Sequence, residues 1–228
     1  MRSTAIIGRA TRGSERVGLL YVCRHGETEW NVEQRMQGHG DSALTERGER
    51  QARAHGALLA ARGGVDELLV SPSGRTRATA ALMLESLESA PRIGFHPELM
   101  ERHSGRWEGL TLDEIAARDA EGWAQRAHDP YFHRPPGGEN HADLEVRLAP
   151  LLPRLETQLA SDTPALAVVT HGVLARVLLK CLLRLGPQEA LRVIQPNAVV
   201  YCLEPGPAGL RVTHFVQGRG PFEGIFRH

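Results

Sequence analysis

Four short apolar runs along the chain break off at polar or glycine-containing turns. Gly18–Cys23 stops at Arg24-His25-Gly26, Leu68–Val70 at Ser71-Pro72, Ala165–Val169 at Thr170-His171-Gly172, and Ala198–Leu203 at a Pro/Gly cluster. Runs of this length bounded by turn residues predict buried strands. Between them the pattern changes to helical spacing. Thr45–Arg62 is Ala-rich, Arg75–Leu87 carries Leu82 and Met83, and Leu144, Leu148, Leu151, Leu152, Leu155 and Leu159 form one stripe. Pro150 and Pro153 interrupt that stripe, and each lacks an amide donor, so a kink or a break into two helices is expected there. Strands alternating with helices predict an α/β fold: a mainly parallel sheet with helices on both faces. Thr111–Glu139, with Trp123, Tyr131, Phe132 and the Pro135-Pro136-Gly137-Gly138 turn, shows no strand pattern and is expected to cross the sheet edge as a small lid. No internal repeat or low-complexity segment is present.

A length of 228 residues suits one domain, expected over 17–228, with a disordered tail over 1–16. The tail has no apolar stretch beyond Ala5-Ile6-Ile7, so it fails as a secretory signal, and a cytoplasmic location is expected; a transit peptide would share its Arg- and Ser-rich character. No apolar run approaches the ~18 residues of a membrane span. Lys and Arg number 27 against 27 Asp and Glu, so the chain lacks the net basic field of a nucleic-acid binder. Neither a membrane nor a nucleic-acid partner is expected, and nothing here specifies the oligomeric state. Lys180 is the only lysine, and Cys181 follows it, which excludes a phosphate-binding P-loop. The arginine bias fits recognition of planar oxyanions, but a composition bias would produce it too. Cys23, Cys181 and Cys202 show no metal-binding spacing, and the last two fall in runs expected to be buried.

In an open parallel α/β sheet, ligands bind beyond the carboxyl ends of the strands. The side chains that follow the predicted strands are Arg24 and His25, then Ser71 to Arg75, then His171 and Gly172. A lone histidine at a strand end is usually packing, and a lone arginine is usually a solvated face. Two histidines and two arginines converging on one edge are more informative. Guanidinium forks match phosphoryl oxygens, and a neutral imidazole is a nucleophile toward phosphorus that needs no metal.

Arg24-His25-Gly26-Glu27-Thr28-Glu29-Trp30-Asn31 resembles the opening signature of the histidine phosphatase superfamily, in its phosphoglycerate mutase-like branch. The resemblance continues in register through Gln37-Gly38, Leu44-Thr45-Glu46-Arg47-Gly48, Ser71-Pro72 with Arg75, Trp107-Glu108-Gly109, Gly137-Gly138-Glu139 and Thr170-His171-Gly172. It implies the phosphoglycerate mutase-like fold. It also implies that His25 becomes phosphorylated within a pocket of Arg24, Arg75 and His171. Thr28, Asn31, Gln37, Gly38 and Gly172 would bind substrate, and Glu101 would protonate the leaving oxygen; no metal and no cofactor are implied. His25 must attack as neutral imidazole, so its other nitrogen needs an acceptor, expected to be a nearby backbone carbonyl.

Rival chemistries can be tested against the same residues. A cysteine phosphatase needs Arg six positions after its Cys, and Cys23, Cys181 and Cys202 are followed there by Glu29, Pro187 and Ala208. The acid phosphatase branch usually places Arg and Pro after Arg-His-Gly, where this chain has Thr28 and Trp30. The mutases usually carry Tyr where Ser104 stands and a longer basic insertion. A phosphomonoester hydrolase acting on small phosphorylated metabolites is therefore expected, with a cofactor-dependent phosphoglycerate mutase as the alternative and a non-catalytic phosphate-binding scaffold behind both. Trp123, Tyr131, Phe132, His133 and Arg134 are candidates to shape the pocket, Arg134 by reading a second acid group, though packing is the commoner role of such aromatics.

Overall fold

The computed structural model describes residues 18–160, 165–207 and 209–226. The expected tail over 1–16 lies outside them. The chain opens with strand β1 (Leu20–Arg24), a short helix α1 (Glu29–Val32) and helix α2 (Glu46–Ala61). Strand β2 (Glu67–Val70), helix α3 (Gly74–Leu84) and strand β3 (Arg92–Phe95) follow. Helices α4 (Leu112–Arg118), α5 (Ala120–His128), α6 (His141–Leu148) and α7 (Leu152–Ala160) lead to β4 (Leu166–Thr170). Helices α8 (Gly172–Leu183) and α9 (Pro187–Leu191) precede β5 (Val199–Gly206), β6 (Gly209–Val216) and β7 (Arg219–Glu223).

The seven strands form one sheet in the order β3-β2-β4-β1-β5-β6-β7. Its first half is parallel, as expected: β3 with β2, β2 with β4, β4 with β1. From β1 onward every pair is antiparallel, so the sheet is mixed rather than mainly parallel. No crossover helix separates β5, β6 and β7. The β6–β7 turn runs through Gln217 (φ 51°) and Gly218 (φ 76°), successive left-handed residues of the kind that close tight hairpins. The edge strands β3 and β7 are largely exposed, which explains why no apolar run marks them.

Alternation along β1 separates the two cores. Leu20 and Val22 face a cluster completed by Leu144, Leu148, Leu155 and the apolar side of α8; Tyr21 and Cys23 face Leu58, Leu59, Ala80 and Met83 of α2 and α3. The leucine stripe splits as the prolines require, α6 ending at Leu148 and α7 restarting at Leu152 with Pro153 in its first turn. Cys202 is buried as expected, but Cys181 is partly exposed on α8. The 111–139 segment contains α4 and α5. Its anchor is the buried Trp107, whose Nε1 donates to Asp119 at 2.8 Å and whose ring stacks on His133. Among the described residues no helix is long and apolar enough to cross a membrane.

Candidate active site

β1 and β4 end side by side, with Arg24 in register with Thr170, so the next residues, His25 and His171, stand together. Their ring centroids are 5.3 Å apart, and both are buried. β2 ends at Val70 and is followed by Ser71, which reaches His171, and the first turn of α3 supplies Arg75. A cavity of about 200 Å³ opens over this edge, and its lining includes Arg24, His25, Asn31, Gln37, Gly38 and Arg75 together with Glu101, Arg102, Ser104 and Arg126.

His25 Nδ1 lies 2.8 Å from the Gly26 carbonyl. A carbonyl only accepts, so Nδ1 carries the proton and Nε2 holds the lone pair. Burial, then the Arg24 and Arg75 charges, push the His25 pKa well below the usual histidine value, keeping the ring neutral. The loop behind it is rigidly held: Gly26 N donates to Thr79 Oγ1, and Asn197 Nδ2 donates to the His25 carbonyl at 2.9 Å and to Asn31 Oδ1 at 3.3 Å. A side chain at Gly26 would sit 2.2 Å from the Gly48 carbonyl, which explains glycine there.

His171 is also held neutral, by burial, then by Arg75 and His25. Its Nε2 lies 2.8 Å from Ser71 Oγ, and Nδ1 has no hydrogen-bond partner among the described residues. With the serine hydroxyl donating to Nε2, Nδ1 is left as a free N–H donor beside His25. Arg75 is clamped by the carbonyls of Gly38 (2.9 Å) and Gly40 (2.6 Å) and by Asp41 (3.0 Å). Arg24 is held by the Gln195 carbonyl at 3.0 Å and packs on Gly172, where a Cβ would come within 3.3 Å of its guanidinium carbon. The Nε of each arginine is buried and has no partner among the described residues.

Glu101 also lines the cavity. Its Oε1 accepts from Arg102 N (2.9 Å) and Leu174 N (3.0 Å), and Oε2 from Val173 N (3.2 Å). It thereby caps the first turn of α8, and only Oε2 keeps an unused lone pair. Glu108, which directly follows the short 3-10 turn Gly105–Trp107, uses Oε1 on the amides of His39 (2.9 Å) and Ser104 (3.0 Å). Among the described residues no group of three or more His, Cys, Asp or Glu is placed to hold a metal ion. Guanidinium groups supply the positive charge.

The structure thus brings together His25, His171, Arg24, Arg75, Glu101, Asn31, Gln37 and Gly38. Thr28 does not line the cavity. It is fully buried, caps α1 and accepts from Gln37 Nε2 at 2.6 Å, because a threonine opening a helix satisfies free amides with its hydroxyl. Gly172 serves by close approach to Arg24. Arg134 lies away from the cavity, paired with Asp143 at 2.5 Å; Tyr131 is buried, Phe132 is exposed, and Trp123 supports Arg126 from below. Arg35, Arg126, Gln195 and Asn197 went unrecognised in the sequence, the last two because they act through backbone contacts that no spacing encodes.

A family model described as the histidine phosphatase superfamily (branch 1) matches residues 20–217. The chain belongs to that superfamily. Within it, the chain is 36% identical over 176 residues to a glucosyl-3-phosphoglycerate phosphatase of Mycolicibacterium vanbaalenii, covering 75% of this chain and 76% of the relative. It is 32% identical over 176 residues to a 2,3-bisphosphoglycerate-dependent phosphoglycerate mutase of Azorhizobium caulinodans, covering 76% and 85%. Among solved structures, the mycobacterial glucosyl-3-phosphoglycerate phosphatase in complex with VO3 superposes with a TM-score of 0.72 at 30% identity, covering 87% of this chain and 97% of that one.

Proposed function

We propose that this protein hydrolyses phosphomonoesters of small metabolites through a phosphohistidine on His25. The observation that carries the reading is the His25 tautomer: Nδ1 donates to Gly26, so Nε2 presents its lone pair beside Arg24, Arg75 and His171. Nε2 attacks phosphorus, the P–O ester bond breaks, and the leaving oxygen takes a proton from Glu101 Oε2. Arg24 Nε, Arg75 Nε and His171 Nδ1, which have no partners among the described residues, donate to the phosphoryl oxygens as charge develops there. Water then attacks the phosphoramidate, giving its proton to Glu101 as the P–N bond breaks and phosphate departs. The arginines provide the charge neutralisation, so the reaction runs without a metal ion. A cavity of about 200 Å³ is below the ~300–1,000 Å³ of drug-sized sites and suits a small metabolite.

Rapid denaturing quench of turnover with labelled phosphoserine tests the reading. Acid-labile, base-stable label on His25, absent in His25→Ala and undiminished by chelator, is expected, with inorganic phosphate as the main product. Label on serine or aspartate, or activity lost in chelator and restored by a divalent ion, would overturn it. The mutase relative supports a second reading, in which the phosphoenzyme returns its phosphate to a product before water enters. Isomerisation of phosphoglycerate with little phosphate release would favour that outcome.

A further inference from the structure

Two side-chain amides beside His25 form a directed chain whose ends are fixed by the backbone. Thr28 N can only donate, so the Asn31 atom 3.2 Å from it is Oδ1; the His25 carbonyl can only accept, so the Asn197 atom 2.9 Å from it is Nδ2. The second hydrogen of that same NH₂ goes to Asn31 Oδ1 at 3.3 Å. Both lone pairs of Asn31 Oδ1 are thereby taken. Asn31 Nδ2, which makes no hydrogen bond with any described residue, is left as the free end of a side chain that lines the cavity. Asn197 does not line the cavity itself. Its placement follows from the sheet: β5 runs antiparallel to β1 with Val200 opposite Cys23, so the residues just before β5 lie against those just after β1. A turn closed by Val199 N donating to the Pro196 carbonyl at 3.0 Å holds the Asn197 backbone, and the buried His55 of α2 donates Nε2 to the Asn197 carbonyl at 2.9 Å.

Building on the phosphatase reading, we infer that Asn197 is a positioning residue: it fixes the Asn31 amide so that Nδ2, and not Oδ1, meets the phosphoryl oxygens. The direction matters because the two ends of an amide are nearly equal in shape and opposite in hydrogen-bonding character. Nδ2 donates to a phosphoryl oxygen, whereas Oδ1 turned the same way sets acceptor against acceptor. Without Asn197, Thr28 N at 3.2 Å is the remaining donor to Asn31 Oδ1 among the described residues, and the amide is freer to turn before substrate arrives. A donor oriented in advance loses least on binding and needs no reorganisation as charge develops on the phosphoryl group. The same NH₂ holds the His25 carbonyl, so one side chain sets the nucleophile's backbone and the orientation of a phosphoryl donor together.

The experiment is a double-mutant cycle between Asn197→Leu, which keeps the shape and removes the donor, and Asn31→Ala, read by equilibrium binding of inorganic phosphate. Asn197→Leu should weaken phosphate binding about 3- to 10-fold in the parent, the range for one hydrogen bond, and less than about twofold in Asn31→Ala, where no amide is left to turn. Asn197→Ala, run alongside in case leucine disturbs the fold, should show the same coupling whatever it does to the melting temperature. An equal loss in both backgrounds would overturn the inference, because a general distortion of the site does not depend on Asn31. A second readout is spectroscopic. The side-chain NH₂ resonance of Asn31, assigned by its absence in Asn31→Ala, should shift when phosphate is added to the parent protein; a resonance indifferent to saturating phosphate would also overturn the assignment. Coupling with no hydrolysis of any phosphomonoester leaves the positioning role standing and sinks the phosphatase reading. Hydrolysis without coupling does the reverse.

Discussion

Glu101→Gln separates two roles that one carboxylate combines in this structure. As a cap it accepts Arg102 N and Leu174 N on Oε1 and Val173 N on Oε2. A glutamine keeps the first two bonds through its carbonyl but turns an NH₂ toward Val173 N, leaving that amide unpaired. An unsatisfied partly buried donor costs about 1–3 kcal/mol, and losing the negative charge at the N-terminus of α8 about 0.3–1 kcal/mol more. Denaturant unfolding should therefore show about 2 kcal/mol of destabilisation, on the order of 4–8 °C in Tm for a domain of this size. As an acid Glu101 matters in proportion to the basicity of the leaving oxygen. Single-turnover phosphorylation of His25 by an alkyl phosphate should slow by about 10²–10⁴-fold, and by para-nitrophenyl phosphate far less, since that leaving group departs as an anion. The phosphorylation step must be measured, because dephosphorylation also uses Glu101 and would mask the contrast in steady state. Equal slowing with both substrates would refute proton donation by Glu101 and leave a cap whose loss distorts the site. Glu108 would then be the acid to test, at the cost of the two amides its Oε1 now serves.

Acid should destabilise the fold by driving protons onto buried histidines. His25, His55, His141 and His171 are all held below the ordinary histidine pKa chiefly by burial, His55 at about 4 and His141 at about 3, whereas the unfolded chain takes up protons near pH 6.5. Stability is therefore full above pH 6.5 and falls as pH drops from there toward the folded values, by up to ~1.4 kcal/mol per pH unit for each histidine; a pH-independent urea midpoint between pH 7 and 5 would contradict the burial of these rings. Gly38→Ala should weaken phosphate binding together with stability. Gly38 has φ +52°, and a Cβ would lie 2.1 Å from Glu108 Oε1, displacing the carbonyl that holds Arg75; unchanged inhibition by vanadate in this variant would show that the Gly38 carbonyl does not set the arginine.

Much of the fold follows from local pattern. The apolar runs at Gly18–Cys23, Leu68–Val70, Ala165–Val169 and Ala198–Leu203 correspond to β1, β2, β4 and β5, because a strand buried on both faces must be apolar at every position. The strands β3, β6 and β7 escaped because edges and hairpins open to water carry no such run; β6 is buried only over Thr213–Phe215, and β3 and β7 are open. Arg24, His25, Arg75 and His171 were legible because they directly follow strands or open a helix, positions where chain direction alone brings side chains to one edge.

What the sequence by itself determined was the α/β class, the break at Pro150–Pro153 and the residues able to meet at the carboxyl edge of the parallel strands, since each depends on neighbours in the chain. The tertiary structure decided which nitrogen of His25 carries the lone pair, that Thr28 caps a helix instead of lining the cavity, that Glu101 serves the amides of α8, and that Arg126 rather than Arg134 reaches the site. Those outcomes are set by contacts between residues far apart in sequence, such as Glu101 with Val173 and Arg24 with Gln195. Charge balance around a buried group depends on which distant chain segments close over it, and that information exists only once the chain has folded.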